Sequence, residues 1–292
     1  MKSQRLHIAI QKSGRLAEKS LDLIRAAGFR LNRSASDLAY SIENAPIDLW
    51  CVRDDDIPTF VADGVADLGI VGRNVLAERA AGGAPSPSEI MPLGFGSCRL
   101  CIAAPERFAY DGPGSLRGVR IATTYPNLLR KYLAEEGVEA EIVTMRGAVE
   151  VAPRLGLADV ICDLVSTGAT LDANGLEAVE TILKSEAVLV RGPRDVAPEL
   201  APVAESVIAR LRGVIASQGA KYVMMNAPRA ALPEISRILP GADAPTVTPL
   251  AGTEDRVAVH AVCQESVFWE TLEALKAAGA SSILVLPIEK MM

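Results

Sequence analysis

The chain has 292 residues, 49% hydrophobic and 23% charged, with a formal net charge of −6. The composition is that of a soluble globular protein, and the length predicts two or three domains. The acidic balance argues against nucleic-acid binding, and no apolar run reaches the roughly 20 residues that cross a bilayer. Five scattered cysteines and a start unlike a signal peptide predict a cytoplasmic protein without a disulfide framework.

Strands and helices alternate along the first two-thirds of the chain. Apolar runs at 6–10 and 47–52 predict strands, and the spacing at 16–27 predicts a helix that Gly28 ends. Acids at 54–56 with Pro58 are typical of a helix start. Further strands are predicted at 99–103, 120–123, 141–145, 160–165 and 187–191, and helices at 127–136 and 205–217. The strand at 187–191 could return to the first lobe and make that lobe discontinuous.

Basic residues follow several of these strands. Lys12, Gly14 and Arg15 come after the first strand, Arg53 ends another, and Arg73 follows a third. Ligands of open α/β sheets bind at the carboxyl ends of strands, so three cationic sites predict a strongly anionic small substrate. Taken singly, each arginine is more often an ordinary surface partner. The acids at 54–56 more often cap a helix, and only one need assist magnesium that arrives on phosphates.

The strand at 160–165 carries one acid, Asp163, and ends in a cluster of small hydroxyl residues around a glycine. This cluster, which we call the phosphate loop, consists of Ser166, Thr167, Gly168, Ala169 and Thr170. Such a loop lets backbone N–H groups reach a phosphate, and a following helix adds partial positive charge. Asp163 is placed to accept hydrogen bonds from sugar hydroxyls. The alternative is an ordinary strand–turn–helix junction with a hydroxyl N-cap.

A short pattern occurs twice in the chain. Gly64, Ala66 and Asp67 recur 92 positions later as Gly156, Ala158 and Asp159, and an apolar strand and a polar loop follow each copy. Two similar α/β lobes with a cleft between them would produce this repeat. The alternative is chance similarity, because helix–turn–strand units are common in α/β folds.

The last third of the chain changes character. Strands are predicted at 221–226, 246–250, 256–263 and 282–287, and helices at 231–239 and 267–278, in the ferredoxin-like order βαββαβ. Ser266 is the predicted N-cap of the last helix, and Gly279 ends it. Domains of this type are often amino-acid sensors, by analogy of fold alone. We therefore predict lobe I at 1–98 and 178–214, lobe II at 99–177 and a regulatory domain at 215–292.

Histidines are scarce, which bears on the chemistry. Only His7 and His260 occur, and no Ser/His or Cys/His couple is evident. Any reaction therefore relies on positioning anions and stabilising departing charge.

Five segments resemble motifs of one enzyme family. They are QKSGRL at 11–16, RDDDIP at 53–58, EVAPR at 150–154, DLVSTGATL at 163–171 and GASSILVLPIEK at 279–290. Together they are similar to ATP phosphoribosyltransferase of histidine biosynthesis, in its long form with an ACT-like C-terminal domain. The resemblance implies two type II periplasmic-binding-protein-like lobes plus a ferredoxin-like domain, and dimers that assemble into hexamers.

The resemblance also implies a reaction and its residues. N1 of ATP attacks C1 of phosphoribosyl pyrophosphate, and pyrophosphate leaves. The phosphate loop would bind the 5′-phosphate, and Asp163 with Glu150 would hold the ribose hydroxyls and the cationic transition state. Arg53 would be catalytic, and with Lys12, Gly14, Arg15 and Arg73 would bind ATP and pyrophosphate around Mg²⁺. Asp37 departs from the family pattern, which has an arginine there, and Arg33 is its expected replacement.

Regulation is the last implication of the resemblance. Histidine would inhibit from the C-terminal domain, with Asn226, Thr246 and Ser281 as expected contacts, although each is also an ordinary strand terminator. Two other functions stay open. Prephenate dehydratase shares the architecture, but its Thr-Arg-Phe motif does not occur here. A two-lobed solute sensor has no need of a hydroxyl-rich phosphate loop.

Overall fold

The computed structural model describes residues 5–34, 38–239, 241 and 244–291. It separates into two compact units. The first comprises the described residues up to Arg25 together with Phe29–Ala204, and the second comprises Ala26–Gly28 together with the described residues from Glu205 onward. The described residues contain no helix that is long and apolar enough to span a membrane.

The first unit is built on two sheets. Its strands are β1 (Leu6–Gln11), β2 (Leu31–Arg33), β3 (Ala39–Ile42), β4 (Ile47–Val52), β5 (Leu68–Gly72), β6 (Ser88–Pro92), β7 (Cys98–Pro105), β8 (Arg120–Thr123), β9 (Glu141–Thr144), β10 (Val160–Val165), β11 (Leu176–Ser185) and β12 (Ala187–Arg191). The helices are α1 (Arg15–Ala26), α2 (Ile57–Ala62), α3 (Arg73–Ala81), α4 (Pro126–Glu135) and α5 (Ala169–Ala173), with 3-10 turns at Asp54–Asp56, Pro113–Leu116 and Val149–Val151.

The seven-stranded sheet has the order β2-β3-β4-β1-β5-β12-β6. Strand β1 runs parallel to β4 and β5, whereas β12 is antiparallel to β5. Parallel strands end at the same edge, and here Gln11 pairs with Val52. The Lys12 backbone N–H then donates to the Val52 carbonyl at 2.8 Å, so the loops after β1 and β4 start side by side.

The five-stranded sheet has the order β11-β7-β10-β8-β9. Strand β10 lies at its centre, parallel to β8 and antiparallel to β7. Its first three residues are buried completely, as the apolar run predicted. The carboxyl end of β10 is therefore held rigidly where the phosphate loop begins.

Strand β11 corrects the predicted organisation. It pairs with β7 in the five-stranded sheet, so the proposed return to lobe I at residue 178 falls inside β11, and the chain reaches the seven-stranded sheet only at β12. The sequence concealed β11 because two register shifts interrupt its alternation, between Ala178 and Glu180 and between Thr181 and Leu183. The predicted strand at 187–191 is confirmed as β12.

The second unit contains most of the helix α6 (Ala201–Ala216). Its elements are β13 (Ala220–Pro228), α7 (Leu232–Ile238), β14 (Thr246–Pro249), β15 (Arg256–Gln264), α8 (Glu265–Ala277) and β16 (Ser281–Pro287), with a 3-10 turn at Arg229–Ala231. The antiparallel sheet has the order β14-β15-β13-β16. Side chains of β13, β15, α7 and α8 form one apolar core, so the βαββαβ prediction is confirmed. The N-cap is Gln264 and not Ser266, because β15 runs directly into α8.

Candidate functional site

The phosphate loop leaves β10 and enters α5. Gly168 adopts a left-handed backbone, with φ at +90°, and is the N-cap of α5. Apart from its neighbours Thr167 and Ala169, none of the described residues places a heavy atom within 4 Å of the position that a Cβ at Gly168 would take. Ser166, Thr167 and Thr170 are exposed. The loop thus offers hydroxyls and backbone to an incoming ligand, with a glycine where a side chain would be both strained and in the way.

Two carboxylates lie beside the phosphate loop. The Asp163 carboxylate accepts a hydrogen bond from the Leu164 N–H at 2.8 Å. Burial raises the pKa of Asp163, and the neighbouring Glu150 carboxylate raises it further. Glu150 is carried by the 3-10 turn at Val149–Val151, and Ala148 enters that turn in the left-handed region, with φ at 51°. Such non-glycine strain, about 1 kcal/mol, is typical of residues that a site holds in place.

The predicted cations of lobe I lie at one edge of the seven-stranded sheet. Lys12, Gly14 and Arg15 follow β1, and Arg53 follows β4. All four residues are exposed. No carboxylate of the described residues forms an ion pair with Lys12, Arg15 or Arg53. Their charges are therefore available to an anionic ligand.

Arg73 has a different environment. Its guanidinium donates to the Glu89 carboxylate at 2.8 and 2.9 Å and to Glu186 at 3.3 Å. The hydrogen bond from Arg73 lowers the pKa of Glu89. These acids stand far from Arg73 in sequence, which is why the local pattern suggested a free cation. Because Glu89 and Glu186 neutralise its charge, Arg73 has no free charge to offer a phosphate.

Tyr125 is a half-buried residue near Asp163 that sequence analysis did not single out. Its hydroxyl accepts a hydrogen bond from the Asn74 side-chain amide at 2.8 Å, and Asn74 is in turn bonded to Ser185. Burial raises the pKa of Tyr125, and the carboxylates of Asp163, Asp54 and Asp55 act in the same direction. The Tyr125 hydroxyl therefore lies within electrostatic range of both the acidic end of β10 and the acidic turn after β4. Sequence analysis had placed Tyr125 only just before the helix predicted at 127–136.

The acidic turn at Asp54–Asp56 carries unrelieved repulsion. Burial raises the pKa of Asp55, and Asp54 and Asp56 raise it further, against a smaller opposing effect of Arg53. Within the described ranges, no group of three His, Cys, Asp or Glu side chains is arranged to hold a metal by itself. A cation shared with a ligand's phosphates would suit this turn, because it would relieve the repulsion.

The expected regulatory residues are only partly brought together. The Asn226 side-chain oxygen is buried and has no hydrogen-bond partner in the part of the chain that the structure describes. Ser281 lies beside it, and its hydroxyl donates to the Asn226 carbonyl at 3.4 Å and accepts from Arg256 at 2.7 Å. Thr246 lies apart, on the edge strand β14 opposite His260, whereas Asn226 pairs with Ala258. Arg256 was not foreseen. Asp37 lies outside the described residues, and Arg33 ends β2.

Comparison with known proteins gives consistent matches over the whole chain. A family model described as ATP phosphoribosyltransferase matches residues 53–213, and one described as HisG, C-terminal domain, matches residues 217–290. The chain is 55% identical over 292 residues to the ATP phosphoribosyltransferase of Maricaulis maris (strain MCS10), with 99% of each chain covered.

Solved structures give a similar result. The ATP phosphoribosyl transferase (HisG:HisZ) complex from Thermotoga maritima contains a chain that is 30% identical, with a TM-score of 0.59. The match covers 71% of this chain and 98% of that chain. The periplasmic aliphatic sulphonate binding protein SsuA from Escherichia coli matches with a TM-score of 0.48 and 16% identity, over 71% of each chain.

Proposed function

The chain belongs to the ATP phosphoribosyltransferases of histidine biosynthesis, and we propose which of its residues hold each part of the two substrates. The enzyme joins N1 of ATP to C1 of phosphoribosyl pyrophosphate and releases pyrophosphate. Both substrates are polyanions, and the reacting carbon becomes cationic as pyrophosphate departs. The site must therefore supply phosphate-binding groups and, between them, negative charge near the ribose.

The 5′-phosphate of phosphoribosyl pyrophosphate binds the phosphate loop. The observation that carries this assignment is the left-handed, unobstructed Gly168 at the start of α5, directly after the central strand β10. Phosphates favour such positions because N–H groups converge there, and small hydroxyl side chains add further donors. Ser166, Thr167, Ala169 and Thr170 complete the loop.

The ribose lies against Asp163 and Glu150. These carboxylates accept hydrogen bonds from the ribose hydroxyls and stabilise the positive charge that develops at C1. Their mutual repulsion and the burial of Asp163 raise the energy of the empty site. Cationic charge in the transition state offsets that cost, which is the differential binding that accelerates a reaction. N1 of ATP has a free lone pair, so no general base is required.

Lys12, Gly14, Arg15 and Arg53 bind the phosphates of ATP and the departing pyrophosphate. Their support is their shared position at the carboxyl edge of the seven-stranded sheet, without carboxylate partners among the described residues. Mg²⁺ arrives mainly on the substrate phosphates, where it neutralises charge. The repulsion within Asp54–Asp56 favours contact of one of these acids with that ion.

Regulation and assembly are assigned to the second unit. Histidine inhibits there, with its polar groups held by Asn226, Ser281 and Thr246, and the unpartnered oxygen of Asn226 is the supporting observation. The enzyme forms dimers that assemble into hexamers. Edge strand β16 exposes Leu284 and Leu286, which suits contact with another copy. All five cysteines are free thiols, in keeping with a cytoplasmic enzyme.

Replacement of Arg53 tests this division of roles. The full-length enzyme is mixed with ATP, phosphoribosyl pyrophosphate and Mg²⁺, and the absorbance of the N1-adduct is followed. Arg53→Ala should lower kcat by about 10²–10³, because one contact to developing charge on the leaving group is lost. Arg25→Ala, which removes an exposed arginine of α1, is the control. An effect confined to the KM for ATP would make Arg53 a simple binding residue.

A further inference from the structure

Two cations face each other at the end of the five-stranded sheet. Arg99 near the start of β7 and Lys184 near the end of β11 are direct register partners, and both are exposed. Directly opposed side chains of antiparallel strands lie on the same face, with Cβ atoms roughly 4.5–5.5 Å apart, and like charges there are destabilising. Over the described ranges neither residue pairs with a carboxylate. The sheet thus holds an uncompensated pair of positive charges.

The same two residues line a cavity of about 390 Å³. Ser166, the first residue of the phosphate loop, lines it as well, together with Ser97. Arg73 and Glu186 also reach this cavity, but they are bonded to each other and contribute little net charge. Arg99 and Lys184 therefore set its positive character.

The strand register places this cavity beside the ribose site. Val165 pairs with Arg99, so Val165, Arg99 and Lys184 form one row across three strands. Asp163 precedes Val165 by two residues and so lies on the same face of the sheet. The cavity and Asp163 therefore share one face of the five-stranded sheet, and Ser166 belongs to both the cavity lining and the phosphate loop.

We propose that Arg99 and Lys184 form a diphosphate subsite for the pyrophosphate group of the phosphoribosyl donor. The inference rests on the proposed function, whose phosphate loop already accounts for the 5′-phosphate. Two separate cations and a cavity of this size suit a diphosphate, which carries more charge over a greater length than a monophosphate. An anion bound between Arg99 and Lys184 removes their repulsion, whereas the empty site retains it. The pair acts from lobe II on the group that Arg53 contacts from lobe I.

The test measures binding of inorganic pyrophosphate with Mg²⁺ to the full-length enzyme by calorimetry, without turnover. The double variant Arg99→Ala with Lys184→Ala should bind pyrophosphate at least about tenfold more weakly, which is the loss of affinity expected when charge-assisted contacts are removed. Binding of ribose 5-phosphate should change by less than about twofold, because the phosphate loop is intact. Arg107→Ala combined with Lys131→Ala removes the same charges from exposed positions of the same lobe and is the matched control.

A second variant addresses stability. Lys184→Glu places a carboxylate opposite Arg99, so it should raise the melting temperature. It should also weaken pyrophosphate binding at least as strongly as the double alanine variant does. If the cavity variant and the control lost pyrophosphate affinity equally, the loss would reflect only the change in net charge, and this result would overturn the proposal. So would a loss of ribose 5-phosphate binding alone, since the cavity would then serve the 5′-phosphate. Failure of the proposed function itself shows separately, as wild-type enzyme that forms no adduct.

Discussion

Asp67 and Asp159 make the same pair of backbone hydrogen bonds in the two sheets of the first unit. The Asp67 carboxylate accepts from the His7 N–H at 2.8 Å, and its own N–H donates to the His7 carbonyl at 2.9 Å. Asp159 bonds to Arg120 in the same way, at 2.9 and 2.8 Å. Each aspartate thereby fixes the start of a strand, β5 or β10, against a parallel neighbour.

This equivalence gives the sequence repeat a physical meaning. The two copies of Gly-x-Ala-Asp set the register of β5 on β1 and of β10 on β8. In each sheet the strands then deliver a polar loop to their common carboxyl edge. The loops that we propose to bind substrate thus follow two similarly built strand pairs.

Gly168 gives the first prediction. Gly168→Ala should raise the KM for phosphoribosyl pyrophosphate strongly, because the new methyl group obstructs the approach of the 5′-phosphate to the backbone. Gly175→Ala is the matched control, since Gly175 also has a positive φ, 66°, and open space around its Cβ position. Both variants carry similar strain of about 1 kcal/mol, so steady-state kinetics separate strain from ligand contact. Equal KM values in the two variants would place the 5′-phosphate elsewhere.

Asp163 gives a second prediction, about pH. Its pKa is raised in the folded enzyme, so the native state holds its proton to higher pH than the unfolded chain does. Stability is therefore lost as pH rises through that window, and the cost is complete at neutral pH. Asp163→Asn should raise the melting temperature at pH 7, and the gain should shrink as the pH is lowered towards 4. Asn can still accept the Leu164 N–H.

The same variant should lose activity, with kcat lower by about 10²–10³ because a charge that stabilises the transition state is removed. Asp172→Asn, which neutralises an exposed carboxylate on α5, is the control for both measurements. A melting temperature that falls at pH 7 would show that the Asp163 charge stabilises the empty enzyme, contrary to the burial argument.

Local patterns sufficed for much of this fold. The strands β4, β8, β10 and β12 begin and end where the sequence predicted, because each contains a short cluster of apolar residues. The hydroxyl-rich loop after β10 and the basic residues after β1 and β4 are local clusters and so were visible in the sequence, and their roles in substrate binding stay predictions. Long-range partners were not. Arg73 is neutralised by Glu186, Arg99 faces Lys184, and β11 is hidden by its bulges. Contacts between residues far apart in the sequence produce no local periodic pattern, so sequence analysis could not predict them.

Glu78 provides a third prediction, also drawn from a long-range contact. This residue of α3 accepts the backbone N–H groups of Asn127 and Leu128, both at 2.8 Å, and so caps α4. Glu78→Gln can accept only one of them through its single carbonyl oxygen. Urea unfolding should show a free energy of unfolding lower by about 1–2 kcal/mol. Glu135→Gln, in an exposed ion pair with Lys131, should cost less than about 0.5 kcal/mol. A similar decrease in the free energy of unfolding of both variants would contradict the assignment of Glu78 as a cap of α4.

Asn226 gives the last prediction, about regulation. Its buried side-chain oxygen has no hydrogen-bond partner among the described residues, and such a group costs about 1–3 kcal/mol unless a ligand satisfies it. If histidine is that ligand, Asn226→Ala should raise the histidine concentration for half-inhibition by about tenfold or more, relative to each variant's own uninhibited rate. Thr248→Ala is the matched control, because Thr248 lies in the same row of the sheet, opposite Ala258.

Thr246→Ala decides how far this site extends. Thr246 is separated from Asn226 by the register, so a strong effect there requires histidine to span two strands or a second copy of the chain to complete the site. Because the site belongs to the second unit, inhibition should be non-competitive with phosphoribosyl pyrophosphate. Clean competition with that substrate, or an Asn226→Ala enzyme with wild-type sensitivity to histidine, would contradict the assignment.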